Sequence, residues 1–235
     1  MLAEFNNYIS EKRLFEKKDR ILLAVSGGID SMVMTHLFLI AGYKIGLAHC
    51  NFGLRSEESD KDEDMVRVYA EKHNIPFFSK KFDTKLFAAK KHISVQMAAR
   101  ELRYNWFEEI RNQNNFDYIS VAHNLNDNVE TLLINLTRGT GITGLTGIKP
   151  SHNRIIRPML FATRQVITEY CTKNGITYRE DRSNAETKYI RNKIRHLVIP
   201  LLKDINPSIE TTLNETVERL SEIDEIVADH IKEIM

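Results

Sequence analysis

The sequence predicts an α/β fold: a doubly wound parallel sheet followed by a helical extension. Three observations predict it. Short apolar runs alternate with longer segments of helical period, the pattern of parallel strands joined by crossover helices. The first run leads straight into the paired glycines Gly27-Gly28 and then into a helical pattern. Beyond Pro207 the alternation stops and a single long acidic amphipathic segment takes over.

Each element can be justified in turn. Residues 21–25 are wholly apolar, as a strand buried on both faces requires, and residues 31–40 follow as a helix. Residues 44–49 form a second strand, after which Ser56 can cap a helix running to about residue 74. Residues 76–82 predict a short third strand. Ser94 then opens a helix whose core stripe is Val95, Ala98, Leu102, Trp106 and Ile110. Residues 118–122 predict a fourth strand, 127–137 a helix and 154–159 a fifth strand. In the terminal helix, Leu213, Val217, Leu220, Val227, Ile231 and Ile234 mark one face, with Asp224 interrupting it. The division expected is a catalytic domain over residues 1–206 and a helical linker over 207–235, leading toward a further C-terminal domain.

Composition narrows the class. The chain has 235 residues, 42% hydrophobic and 28% charged, with a formal net charge of +1, so nucleic-acid contact has to come from local patches. Cys50 and Cys171 form no CxxC pair, which argues against zinc, iron–sulfur or disulfide chemistry. No apolar run approaches the ~18 residues of a membrane span, and the polar start lacks a signal-peptide core; the cytoplasm is expected. Charge is unevenly placed. Residues 57–64 carry six acids, 80–91 five lysines and 179–203 seven arginines or lysines, while 208–235 turn acidic again.

The chemistry concentrates in a few motifs beyond strand ends. Ser26-Gly27-Gly28-Ile29-Asp30-Ser31 can close backbone N–H groups on an anion at a helix N-terminus. Asp30 would repel phosphate unless a metal ion or cationic substrate intervened, which suggests a metal–nucleotide complex. The spacing and lysine of a Walker A loop are absent. Asp127 and Glu130 share one helix face and can hold Mg²⁺ or grip an ammonium group; acids at a helix start are equally common as dipole partners. Arg138 opens a glycine-dense loop through Gly147. Arg100 and Arg103, one turn apart, can clamp phosphate or pair with neighbouring acids. His49 and Asn51 lie in a loop after the second strand, where a nucleoside can be covered. Asp181-Arg182-Ser183-Asn184 and the basic stretch Arg191 to Arg195 suit a phosphate-rich partner or plain solvent.

Taken together, SGGIDS, HCNFGLRSEES, ARELRY, AHNLNDNVET, RGTGITGLTGI, RPML and DRSN with RNKIR resemble the tRNA(Ile)-lysidine synthases, a family of the PP-loop ATP pyrophosphatase superfamily. The resemblance covers roughly residues 21–200. It implies an adenine nucleotide α-hydrolase-like fold and an enzyme using ATP and Mg²⁺. Such an enzyme ligates free L-lysine to the wobble cytidine of a tRNA(Ile) with a CAU anticodon, with no membrane partner and a homodimer as one option. On that footing Ser26, Gly27, Gly28, Ile29, Asp30, Ser31, Arg100, His49 and Asn51 bind nucleotide. Asp30, Asp127, Glu130, Arg103 and Arg138 are catalytic, and Asp30 and Asp127 hold metal. Arg191 and Arg195 meet nucleotide or tRNA. Two departures stand out: many relatives have His where Phe52 stands and Asp where Asn126 stands. The alternatives are another PP-loop pyrophosphatase (a tRNA thiolase or an amide-forming nucleotide synthetase) and a non-catalytic ATP-binding module.

Overall fold

The computed structural model describes residues 1–54, 57–179 and 190–234, the last three as backbone. In chain order the elements are α1 Leu2–Glu11, β1 Arg20–Ala24, α2 Ile29–Ile40, β2 Lys44–Asn51, α3 Glu57–Lys72, β3 Phe77–Lys81, α4 Thr84–Lys91 and α5 Val95–Gln113. Then come β4 Tyr118–Ser120, α6 Leu125–Arg138, α7 Ile142–Leu145, β5 Ser151–His152, β6 Ile155–Ile156 and α8 Arg164–Lys173. Last are α9 Ile190–Lys193, a π-helical turn Ile194–Val198, α10 Ile199–Ile205 and α11 Ile209–Ile234. The expected cap Ser56 and the DRSN motif lie outside the described residues. Among the described residues no helix is long and apolar enough to cross a membrane.

Contacts divide the chain into two compact units. The first comprises Met1–Ala122, Pro150–Met159 and Gln165–Glu180 and holds the sheet, in the order β3-β2-β1-β4-β6-β5. All pairs are parallel except the edge hairpin β5–β6. The chain winds outward from β1 through β2 to β3, then returns to place β4 on the other side of β1. The carboxyl end of β1 is therefore a topological switch point, where such sheets receive ligands. One face packs Leu22, Ala48, Phe116 and Ile119 against Trp106 and Phe107 of α5. Gly46 makes this possible, because a Cβ there would stand 2.5 Å from the Phe116 ring. The buried α2 residues Met32, Met34, Leu37 and Phe38 add further core, and Phe5 of α1 meets Phe38 edge-on at 5.2 Å.

The second unit comprises His123–Lys149, Leu160–Arg164 and Asp181–Met235. Leu125 and Val129 of α6 pack on Ile194 and Ile199, with Leu213 of α11 against them. Asn128 links three segments: its amide donates to Asn214 at 2.8 Å and its oxygen accepts from the Ile148 amide at 2.6 Å. Asp224, the break in the α11 seam, accepts from the Thr143 hydroxyl at 2.8 Å. Val217 of the seam is buried, whereas Val227 and Ile231 stand exposed.

Several local expectations are revised. The fifth strand shrinks to Ile155–Ile156, since Pro158 has no N–H for a ladder and biases Arg157 before it. Val95, expected in the core stripe, lies exposed in the first turn of α5, while Ala98 and Trp106 are buried as expected and Phe107 joins them. Helices α1, α4 and α8 were not anticipated. Phe5 and Ile9 of α1 carry the helical spacing that could have revealed it.

Candidate active site

In the first unit the loop after β1 is organised by its own serines. The Ser31 hydroxyl donates to the Gly28 carbonyl at 2.8 Å and accepts from the Ser26 amide at 3.2 Å. The Ser26 and Ser31 hydroxyls lie 3.2 Å apart, and the Gly28 amide reaches Ser26 Oγ at 3.3 Å. Gly27 sits at φ +89°, a conformation that needs glycine, and a Cβ there would press on Met65 at 3.1 Å. The twelve-residue α2 opens directly behind it at Ile29, with Asp30 in its first turn. The turn thus brings Ser26 to Ser31 together as a helix N-terminus preset for an anion.

Residues far along the chain hold that loop. The Arg179 amide donates to the Gly27 carbonyl at 3.0 Å. Its guanidinium binds Asp62 at 2.6 Å and also Glu58, on the helix that carries Met65 against Gly27. Nothing local in the sequence marks this pairing; Arg179 and Asp62 appeared only as members of opposite charge runs. His49 is buried and its Nδ1 donates to the Val25 carbonyl at 2.9 Å, at the mouth of the loop. Burial lowers its pKa, so the neutral ring leaves Nε2 an acceptor. Asn51 spends its side chain internally: Nδ2 donates to Asp60 at 2.7 Å and Glu63 at 3.2 Å, and Oδ1 accepts from the Gly53 amide. It thereby fixes the bend that carries Phe52, which stacks on Phe82 and lies under Arg103 at 5.2 Å. Arg100 lies over Tyr104 at 4.9 Å. Burial pushes the Cys50 thiol up to about 12, removing it as a nucleophile.

The second unit holds the acidic pair. Asp127 completes a capping box at the start of α6: its Oδ2 accepts from the Asn124 amide at 3.1 Å, and Asn124 Oδ1 accepts from the Asp127 amide at 3.0 Å. Glu130 is fully buried and takes a two-pronged hydrogen bond from Arg195, at 2.6 and 3.1 Å. Burial raises its pKa despite Arg195, which works in the opposite direction. Arg195 also lies 3.5 Å from Asp127, and Arg191 lies 3.5 Å from Glu130 and 2.8 Å from the Thr131 hydroxyl. Arg195 stands in the π-helical turn Ile194–Val198. Asn126 bridges Glu210 and the Arg164 amide, so its departure from Asp serves the packing of this unit. Arg138 is exposed in the last turn of α6, ahead of Gly139 at φ +71°. Among the described residues no group of His, Cys, Asp or Glu is arranged to hold a metal by itself. Asp30, beside a loop shaped for phosphate, fits a Mg²⁺ that takes most of its ligands from phosphate and water.

Sheet order, switch-point loop and helix N-terminus define a doubly wound nucleotide-loop protein. The chain belongs to the PP-loop domain family, which matches residues 2–202. It is 46% identical over 216 residues to the tRNA(Ile)-lysidine synthase of Bacteroides thetaiotaomicron, covering 92% of this chain and 51% of that one. It is 41% identical over 235 residues to the synthase of Thermosipho africanus, covering 98% and 55%. The chain thus spans about half the length of the curated relatives it matches. Among solved structures it resembles the U34-tRNA thiolase NcsA of Methanococcus maripaludis, with TM-score 0.73 at 16% identity over 94% of this chain and 78% of the other. The NH3-dependent NAD synthetase of Campylobacter jejuni has a TM-score of 0.53 at 14% identity, covering 92% and 91%. These two likenesses concern the fold.

Proposed function

We propose that the chain carries the catalytic part of a tRNA(Ile)-lysidine synthase, with residues 1–206 as the catalytic domain and 207–235 as a helical linker. In this reading the ring carbonyl oxygen of the wobble cytidine attacks the α-phosphorus of ATP and pyrophosphate leaves. The ε-amine of lysine then attacks the activated ring carbon, and AMP departs. The observation that carries the reading is the serine-braced loop at the switch point, in a chain 46% identical to a named synthase over 92% of its length.

The residues take roles that their chemistry supports. Ser26 to Ser31 receive the phosphates with backbone N–H groups and the helix dipole, an arrangement that needs no rearrangement as charge develops on the leaving group. Mg²⁺ would neutralise phosphate charge, with Asp30 and Asp127 as the carboxylates that would hold it. His49 and Asn51 act on the nucleotide through the loops they fix. Arg100, Arg103 and Arg138 hold phosphate. Arg191 and Arg195 occupy the acidic pair in this structure, so lysine entry exchanges a guanidinium for its ammonium at Asp127, the more accessible of the two acids. Glu130 anchors Arg195. The reaction takes place in the cytoplasm on a tRNA(Ile) with a CAU anticodon.

The test is incorporation of labelled lysine into that tRNA by this chain. ATP-dependent incorporation that disappears in Asp30→Ala is expected. ATP cleavage to AMP with another acceptor, and no lysine transfer, would keep the PP-loop chemistry and refute the substrate.

A further inference from the structure

We propose that the outer surface of α4 and the first turn of α5, in the first unit, docks the phosphodiester backbone of the RNA substrate. The inference rests on the reading above and names a surface for one of its partners.

Helix α4 begins three residues beyond the carboxyl end of β3, at the same end of the sheet as the loop that follows β1. Its N-cap Asp83 accepts from the Leu86 amide at 3.0 Å, and it ends on His92 in a left-handed conformation, φ +54°. It packs on α5, burying Thr84 and Ala88 and turning its lysines outward. Three lysines of the run 80–91 are paired: Lys80 with Glu109, Lys81 with Asp60 and Lys91 with Glu101. Lys85 and Lys90 make no ion pair with any described residue, and neither does Arg100. On the same surface Leu86 is 50% exposed and Met97 59%. Beside them Arg100 lies over the Tyr104 ring at 4.9 Å and Arg103 over the Phe52 ring at 5.2 Å.

Unpaired ammonium groups, exposed Leu and Met, and guanidinium groups set over rings are contact types that single-stranded RNA uses. Phosphates take the lysines and the ring-backed guanidinium groups, and unstacked bases take the apolar side chains. An anionic membrane would satisfy the same cations and apolar groups; RNA is favoured because this surface lies at the end of the sheet that carries the switch-point loop, where the proposed reaction brings its RNA substrate.

The experiment measures binding of a CAU-anticodon tRNA(Ile) to the chain across a salt series, beside Lys85→Glu/Lys90→Glu and Met97→Ser. The lysine pair should weaken binding roughly tenfold at ~0.1 M salt and lower the log–log salt slope by about 1.5, since each lost phosphate contact removes about 0.7–0.9. Met97→Ser should weaken binding with the slope unchanged. ATP affinity and melting temperature should match the parent in all variants, as these side chains are exposed. If the parent binds tRNA and the lysine variant binds with equal affinity and slope, the surface assignment is overturned while the synthase reading stands. If the parent binds ATP and no tRNA, the surface assignment falls, and the lysine-incorporation test decides the synthase reading separately. Loss of binding to phosphatidylserine vesicles with tRNA binding intact would overturn the proposal in favour of a membrane surface.

Discussion

Replacing Arg195 by alanine tests the electrostatic logic of the second unit most directly. The guanidinium holds both oxygens of Glu130, which has no exposure of its own. Breaking a fully buried ion pair from one side costs about 3–5 kcal/mol, because the remaining charge is left in a poor solvent. Two features reduce that here: the Arg195 side chain is 34% exposed, and Arg191 remains 3.5 Å from Glu130. A loss of about 2 kcal/mol is expected, roughly 4–8 °C in the melting temperature of the whole chain. The loss should depend on pH with a definite sign. Burial raises the folded pKa of Glu130 above its unfolded value, so the folded chain binds this proton more tightly. The contribution of the group is therefore harmless below the unfolded pKa and turns unfavourable as pH rises through the folded one. Removing Arg195 takes away the group that opposes the rise, so the deficit should be largest near pH ~8 and shrink toward pH ~5. Urea unfolding of parent and Arg195→Ala across this range measures it, and Glu130→Gln in the variant background should recover stability at pH ~8. A deficit equal at both pH values and untouched by Glu130→Gln would refute the argument.

Two further outcomes follow from contacts already described. Arg179→Ala should raise the KM for ATP by about tenfold with kcat little changed, because it loosens the helix that braces Gly27 while leaving the reacting groups in place. Arg179→Lys should restore part of it, and an unchanged KM would show that the loop needs no such brace. Gly147→Ala should destabilise the second unit by roughly 2–4 kcal/mol, since φ is +61° and the new Cβ would fall 2.2 Å from Asn128 Oδ1; denaturant unfolding with a loss under about 1 kcal/mol would contradict it.

Legibility of the chain tracked the range of the interactions. Residues 21–25 announced themselves as a strand because a parallel strand buried on both faces is continuously apolar, and the short apolar run 45–48 between Lys44 and His49 carried the same signal more weakly. Ser94 was legible as a cap because capping is local, and its hydroxyl does accept from the Met97 amide at 3.2 Å. The loop Ser26–Ser31 was legible because its conformation depends on its own glycines and serines. The brace by Arg179 was not, since a pairing so distant in sequence leaves no periodic or local trace. Asp127 and Glu130 were visible as a pair on one helix face, but their partners were not: capping geometry and arginines far along the chain decide those. The helix α4 was hidden because its lysines drew the eye as charge and its buried side are only Thr84 and Ala88.

The hydrogen bond from the Arg179 amide to the Gly27 carbonyl also bears on how the protein comes into being on the ribosome. The loop emerges among the first thirty or so residues, yet one of its fixed points is synthesised only after the whole sheet has been made. A nascent chain stalled before that residue can form β1, α2 and α3 and still present a slack loop with an unanchored glycine. Nucleotide retention by chains of increasing length would accordingly switch on late, and ATP in the cell would reward only those copies whose first unit has closed on itself.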